Sequence, residues 1–81
     1  MTQPAPLPAS ATREAILDAA EPLFAERGFG ESNLREIARE AGVTRSLIHH
    51  HFGSKEGLWH AVVERRFQEY ARAQHAILDR L

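Results

Sequence analysis

The chain has no cysteine, which excludes disulfides and thiolate metal sites and leaves the redox compartment undetermined. It has no apolar run close to the roughly 18 residues that a membrane span needs. It has no excess of either charge: ten Lys and Arg stand against eleven Asp and Glu, for a formal net charge of −1. Bulk electrostatics therefore gives no argument for an acidic or basic partner, and any such argument must be local. Pro4, Pro6 and Pro8 mark the N-terminus, but no early positive charge makes it a signal peptide, so a cytoplasmic location is expected. Constellations for catalysis are missing as well. There is no Ser-His-Asp order in a plausible structural context and no glycine-rich phosphate loop after a strand, and so short a chain encloses no pocket-sized core. An enzyme is not expected.

What is present favours helices. Apolar residues make up 43% and charged residues 26% of 81 residues, and the Ala, Leu, Glu and Arg usage points to an all-α fold. A single domain of this size is marginally stable on its own core, so a partner that adds buried surface is expected.

Met1 to Ala9 is rich in proline and small residues and reads as a disordered arm. With no Arg or Lys before Arg13, it is not equipped to enter a minor groove. A first helix should start near Ser10 or Thr12, either of which can cap it, and run to Arg27, where Gly28 stops it. Ile16, Ala19, Ala20, Leu23 and Phe24 make its apolar face, with Glu14, Asp18 and Glu21 turned to water. Pro22 lies inside this helix, where it removes one hydrogen bond and bends the axis.

The stretch from Leu34 to Lys55 reads as a helix-turn-helix followed at once by another helix. Asn33 with Glu36 fits a capping box, and Ser32 is an equally plausible cap. The second helix, about Asn33 to Ala41, buries Leu34, Ile37, Ala38 and Ala41 and leaves Arg35, Glu36, Arg39 and Glu40 outside. Gly42 ends it and Thr44 caps the third helix. With Ile48 at the centre of the buried face, about 100° per residue puts Thr44 and Phe52 near it, Ser46 and His50 opposite, and Leu47 and His49 on the flanks. Leu47 is then an apolar side chain on an exposed face, which a major groove can use against a thymine methyl.

His49, His50 and His51, with His60 and His75 elsewhere, do not make a metal site. Successive helical residues diverge by about 100°, and no two histidines are four apart. Beside Arg45 and Lys55, with no carboxylate between Ala41 and Lys55, they form a locally basic face whose charge rises as pH falls through about 6.5. Ser54 caps a fourth helix. Lys55 in its first turn is opposed by the helix dipole, so a phosphate contact is expected to favour it there.

The fourth helix runs to the end of the chain. Leu58, Ala61 and Val62 point back at the helix-turn-helix. Val63, Phe67, Tyr70, Gln74, Ile77 and Leu81 then follow at heptad spacing, a seam that nothing earlier in the chain covers. A helical interaction module that pairs through this seam, without binding DNA, is the rival to a DNA reader.

Gly28-Phe29, Leu34-Arg35-Glu36-Ile37-Ala38, Ala41-Gly42-Val43-Thr44 and Phe52-Gly53-Ser54-Lys55-Glu56-Gly57-Leu58 together closely resemble the N-terminal DNA-binding domain of the tetracycline-repressor (TetR) family of bacterial transcription regulators, over about residues 12–62. The resemblance implies a three-helix, homeodomain-like head over residues 10–62 whose third helix, about 45–51, reads the major groove. A connecting helix at 63–81 would lead to a ligand-binding and dimerisation domain outside these residues. Carried over position by position, Arg35, Arg45, Ser46, Leu47 and His50 would meet base edges or the adjoining backbone, and Thr44, His49, His51 and Lys55 would meet phosphates. Arg45 is the candidate for a bidentate guanine contact. The family usually has Tyr where this chain has His49, and often Gly and then Thr or Ala at Ser46 and Leu47, so its base preference does not transfer. Family members continue for well over a hundred residues, and the open seam fits a chain cut before the second domain. The implied partner is a palindromic double-stranded operator in the bacterial nucleoid, read by a homodimer of the full-length protein with heads about 34 to 36 Å apart. A repressor is the usual role, no cofactor is implied, and a small-molecule effector would act only through the C-terminal domain.

Overall fold

The computed structural model of the chain describes residues 8–81. Four helices follow one another: α1 (Ala9–Glu31), α2 (Leu34–Ala41), α3 (Arg45–Phe52) and α4 (Lys55–Asp79), with no strand among the described residues. Residues 1–7 of the expected arm lie outside the described residues. Ala9, placed in that arm by composition, instead opens α1.

The start of α1 differs from expectation. Pro8 is the N-cap, at φ −55° and ψ 150°, with no side-chain cap, and its carbonyl accepts from Thr12 N at 3.0 Å. Ser10 and Thr12, the expected caps, lie inside the helix. A proline fixed in this φ range begins a helix without a polar side chain because the first amides of a helix have no internal acceptor anyway. Pro22 is exposed and the helix continues through it; the one non-helical residue inside α1 is Gly28, at φ 76° and ψ 177°. The helix does not end at Arg27 but resumes for a further turn to Glu31. Buried Ser32 ties off this break, its hydroxyl donating to Gly28 O at 2.6 Å and to Leu23 O at 3.2 Å. That leaves Asn33 as the cap of α2, its Oδ1 accepting from Arg35 N at 2.7 Å. Glu36 does not complete a capping box: its carboxylate pairs with Arg27, which raises the Arg27 pKa.

The core comprises Ile16, Leu17, Ala20 and Phe24 of α1, Ile37 and Ala38 of α2, Ile48 of α3, and Leu58 and Val62 of α4. Leu17 falls outside the apolar stripe read from the sequence, while Ala19 and Leu23, inside it, are only partly buried. The buried face of α1 is rotated and wider than the stripe because α1 packs against α2 on one side and α4 on the other. At the second crossing Trp59 wedges edge-on against Phe24 and Phe29, with ring centres 5.0 and 5.8 Å away.

The acidic stripe of α1 is the larger correction. Glu14, Asp18 and Glu21 are not simply turned to water: they converge on Arg65 of α4 at 3.0, 2.8 and 2.6 Å. Glu21 also accepts from Arg66 at 2.8 Å. The Arg65 side chain is 17% exposed. Burial works against its charge, but hydrogen bonds to Asp18, Glu21 and Glu14 outweigh that, and its pKa rises above the ordinary value. Glu21 moves the other way: the Arg66 hydrogen bond, opposed by burial and helped by Arg65, holds its carboxyl below the ordinary 4.5.

Beyond Arg66, the last residue of α4 tied to α1 by an ion pair, the helix leaves the body of the fold. Val63, Phe67, Tyr70, Ile77, Leu78 and Leu81 are exposed large apolar side chains. This overhang accounts for a radius of gyration of 15.1 Å, against about 12 Å for a compact chain of this length.

Candidate nucleic-acid interface

The face that the core leaves free on α3 is set by a tight turn and two caps. Gly42 sits at φ 72°, ψ 31°, a left-handed conformation open to glycine at little cost. Its amide donates to Arg39 O at 3.2 Å and the Val43 amide to Ala38 O at 2.9 Å, so the last carbonyls of α2 are satisfied while the chain reverses. Thr44 then caps α3, its hydroxyl accepting from Leu47 N at 3.2 Å; losing such a cap costs about 1 kcal/mol. At the far end Gly53 N donates to His49 O at 2.8 Å, and Ser54 Oγ accepts from Gly57 N at 3.0 Å to start α4.

Ile48 is the one buried residue of α3, with Val43 and Phe52 packed partly buried against the core. On the other side Arg45, Ser46, Leu47, His49 and His50 are exposed, Leu47 at 38%. Thr44 is exposed too, and His51 is half-buried beside Phe52, ring centres 6.2 Å apart. Eight residues of helix thus carry one anchor and a polar-basic outer face with a single leucine on it.

Arg35 is exposed at the start of α2. Lys55 is half-buried, and its Nζ stands 4.5 Å above the centre of the Phe29 ring. This contact contributes about 0.5–1 kcal/mol at such a site, so a bound phosphate is not needed to explain a lysine in the first turn of α4. One residue beside this face was not legible in the sequence: Arg13, whose guanidinium lies 5.2 Å from the centre of the Phe52 ring, bringing a cation from α1 to the end of α3. A separation of 39 positions leaves no local pattern that would reveal the pair.

The charges explain how a chain of net charge −1 can present a basic surface. Three carboxylates of α1, Glu14, Asp18 and Glu21, are occupied by Arg65 and Arg66 at the α1–α4 crossing. Arg45, Lys55 and three histidines occupy a stretch from Val43 to Lys55 that has no acidic residue.

A short helix held by one buried residue after a three-residue turn, with its outer face free, defines a helix-turn-helix head. The family model described as "Bacterial regulatory proteins, tetR family" matches residues 16–62, and the chain belongs to that family. The HTH-type transcriptional repressor BepR of Brucella suis biovar 1 (strain 1330) is 49% identical over 73 residues, covering 88% of this chain and 35% of that protein. The HTH-type transcriptional regulator AcrR of Shigella flexneri is 45% identical over 56 residues, 69% of this chain and 26% of that one. Among solved structures, a TetR-like transcriptional regulator from Rhodococcus sp. RHA1 superposes with a TM-score of 0.79 at 31% identity, over 84% of this chain and 37% of that chain. HlyIIR, a hemolysin II transcriptional regulator, does so with 0.68 at 37% identity, over 70% and 32%. The chain spans 26 to 37% of the length of these relatives.

Proposed function

We propose that this chain is the DNA-reading head of a TetR-family transcription regulator, a repressor, and that α3 lies in the major groove of a palindromic operator. The carrying observation is the division of α3: Ile48 holds it to the core while Ser46, Leu47 and His50 face outward. In this reading Arg35, Arg45, Ser46, Leu47 and His50 meet base edges, and Thr44, His49, His51 and Lys55 meet phosphates. Residues 10–62 form the reading domain and 63–81 a connecting helix. Regulators of this family bind DNA and typically act as dimers; here the homodimer, and control by a small-molecule effector, depend on protein beyond the helix-turn-helix. The setting is the bacterial cytoplasm at the nucleoid, and no helix of the described residues is long and apolar enough to cross a membrane. The named relatives are transcriptional regulators, and no catalytic role is proposed.

Binding-site selection from a random duplex pool, followed by gel shifts with the recovered sequence, tests this. The head is expected to enrich one motif and to lose it in a Leu47→Ala, His50→Ala double variant. A module that only pairs through the α4 seam predicts no shift at any salt concentration, and that result overturns the proposal.

A further inference from the structure

We infer that His49 and His51 meet DNA phosphates only as protonated rings, so that binding by α3 takes up protons. The inference rests on the proposed reading of α3 as the DNA-contacting helix.

His49 carries the structural argument. Its Nδ1 lies 3.4 Å from the carbonyl oxygen of Gly53, which can only accept. That contact requires the hydrogen on Nδ1 and leaves Nε2 of the neutral ring as a lone pair. A phosphate oxygen also only accepts, so Nε2 meets one only after the ring gains a second proton. At His51, half-buried between Phe52 and His50 with ring centres 6.2 and 5.3 Å away, a neutral ring adds no charge against a phosphate and a protonated one does.

The surroundings leave the phosphate as the natural counter-charge. Among the described residues none of the three α3 histidines is ion-paired with a carboxylate. On its own helix the charged neighbour is Arg45; from α1 comes Arg13, over the Phe52 ring. From α4 come Lys55 and, next in the chain, Glu56. On α2, Arg35, Arg39 and Glu40 are exposed and Glu36 is held by Arg27. Across these segments Arg13, Arg35, Arg39, Arg45 and Lys55 stand against Glu36, Glu40 and Glu56, with Glu36 already held by Arg27; DNA phosphates reverse that balance.

Histidine side chains as a class gain their second proton in the range between pH 8 and pH 6, which makes these the two pH values to compare. Each phosphate contact made by a cation steepens the dependence of log K on log salt by about 0.9. Two such contacts predict a slope steeper by about 1.8 at pH 6 than at pH 8, and affinity at low salt higher by about tenfold or more.

The test is fluorescence anisotropy of the 81-residue chain on a labelled, mixed-sequence 30-base-pair duplex, titrated at several salt concentrations at pH 6 and pH 8. The expected result is the steeper slope at pH 6 and its disappearance in His49→Gln, His51→Gln, with His60 and His75 present in both proteins. His49→Lys, His51→Lys should give the steep slope at both pH values, which separates a lost charge from a lost fold. Binding with one slope at both pH values overturns this inference and leaves the DNA reading standing. No binding at either pH, even at low salt, overturns both.

Discussion

Gly57 lies directly against the last carbonyl of α3: a Cβ added to it would stand 2.0 Å from the oxygen of Phe52. Backbone cannot yield as a flexible side chain does, so α3 and α4 are seated at a distance only glycine permits. Two effects oppose each other in Gly57→Ala. Helix propensity favours alanine by about 1 kcal/mol, whereas forcing a methyl into a filled space costs about 1–3 kcal/mol or more. At 2.0 Å the clash wins, and the variant should melt several degrees lower by circular dichroism. An unchanged or higher midpoint would show that α4 can slide away from α3 at little cost.

The Arg65 cluster predicts a sensitivity to acid. A carboxyl whose folded pKa lies below its unfolded value contributes stability above the unfolded pKa, and that contribution is lost as pH falls through the folded one. Glu21 is such a group, held below its ordinary 4.5 first by Arg66. Urea midpoints should therefore hold steady from pH 7 to about 5 and fall below 4.5. Glu21→Gln should start lower at pH 7 and fall less on acidification; parallel curves for the two proteins would remove Glu21 as the cause.

Removing the hub itself is the harsher change. Arg65→Ala leaves three carboxylates facing one another across a gap, and should cost about 1–2 kcal/mol after allowance for their exposure. Arg66→Ala, which removes one exposed partner of Glu21, should cost well under half as much. Equal losses, measured by urea unfolding, would contradict the ranking.

Lys55 separates folding from binding. Its Nζ over Phe29 predicts that Lys55→Met, which keeps the apolar stem, loses no more than about 1 kcal/mol of stability. If the same ammonium also meets a phosphate, that variant should bind all DNA sequences more weakly, with a salt slope shallower by about 0.9. A shift in preferred sequence with an unchanged slope would assign Lys55 to base reading instead.

Arg45, exposed in the first turn of α3, is the candidate for a bidentate guanine contact, where each such contact discriminates by about 1–3 kcal/mol. Site selection with Arg45→Ala should lose information at one position of each half-site and retain the rest. An identical motif would remove Arg45 from the base contacts.

The sequence made legible those features whose cause is local. Gly42, Thr44 and Ser54 announce a turn and two caps within a few residues, and the fold places all three in those roles. The burial of Ile37, Ala38, Ile48, Leu58 and Val62 follows from helical spacing alone. Features that depend on where two helices cross were not legible. Periodicity identifies Glu14, Asp18 and Glu21 as facing away from the core, but says nothing of an arginine arriving from 44 to 51 residues away. Leu17 was missed because α1 has two neighbours rather than one, and Arg13 because its approach to Phe52 is set by the same crossing. The caps at Ser10 and Thr12 were misplaced because a proline start needs no polar side chain. Among the site residues, spacing around Ile48 separated the outward face from the inward one, yet it gave Lys55 no hint of Phe29.

Trp59, the only tryptophan in the chain, is clamped between two phenylalanines at the crossing of α1 and α4. The indole is therefore a label already in place, sited where the reading head meets the helix that leaves it. Any event that draws α4 from α1 must expose that ring to water and shift its emission to the red. Contacts confined to the outer face of α3 leave its neighbours in place. A single optical channel thus distinguishes loosening of this joint from occupancy of the reading face, without a dye or a mutation.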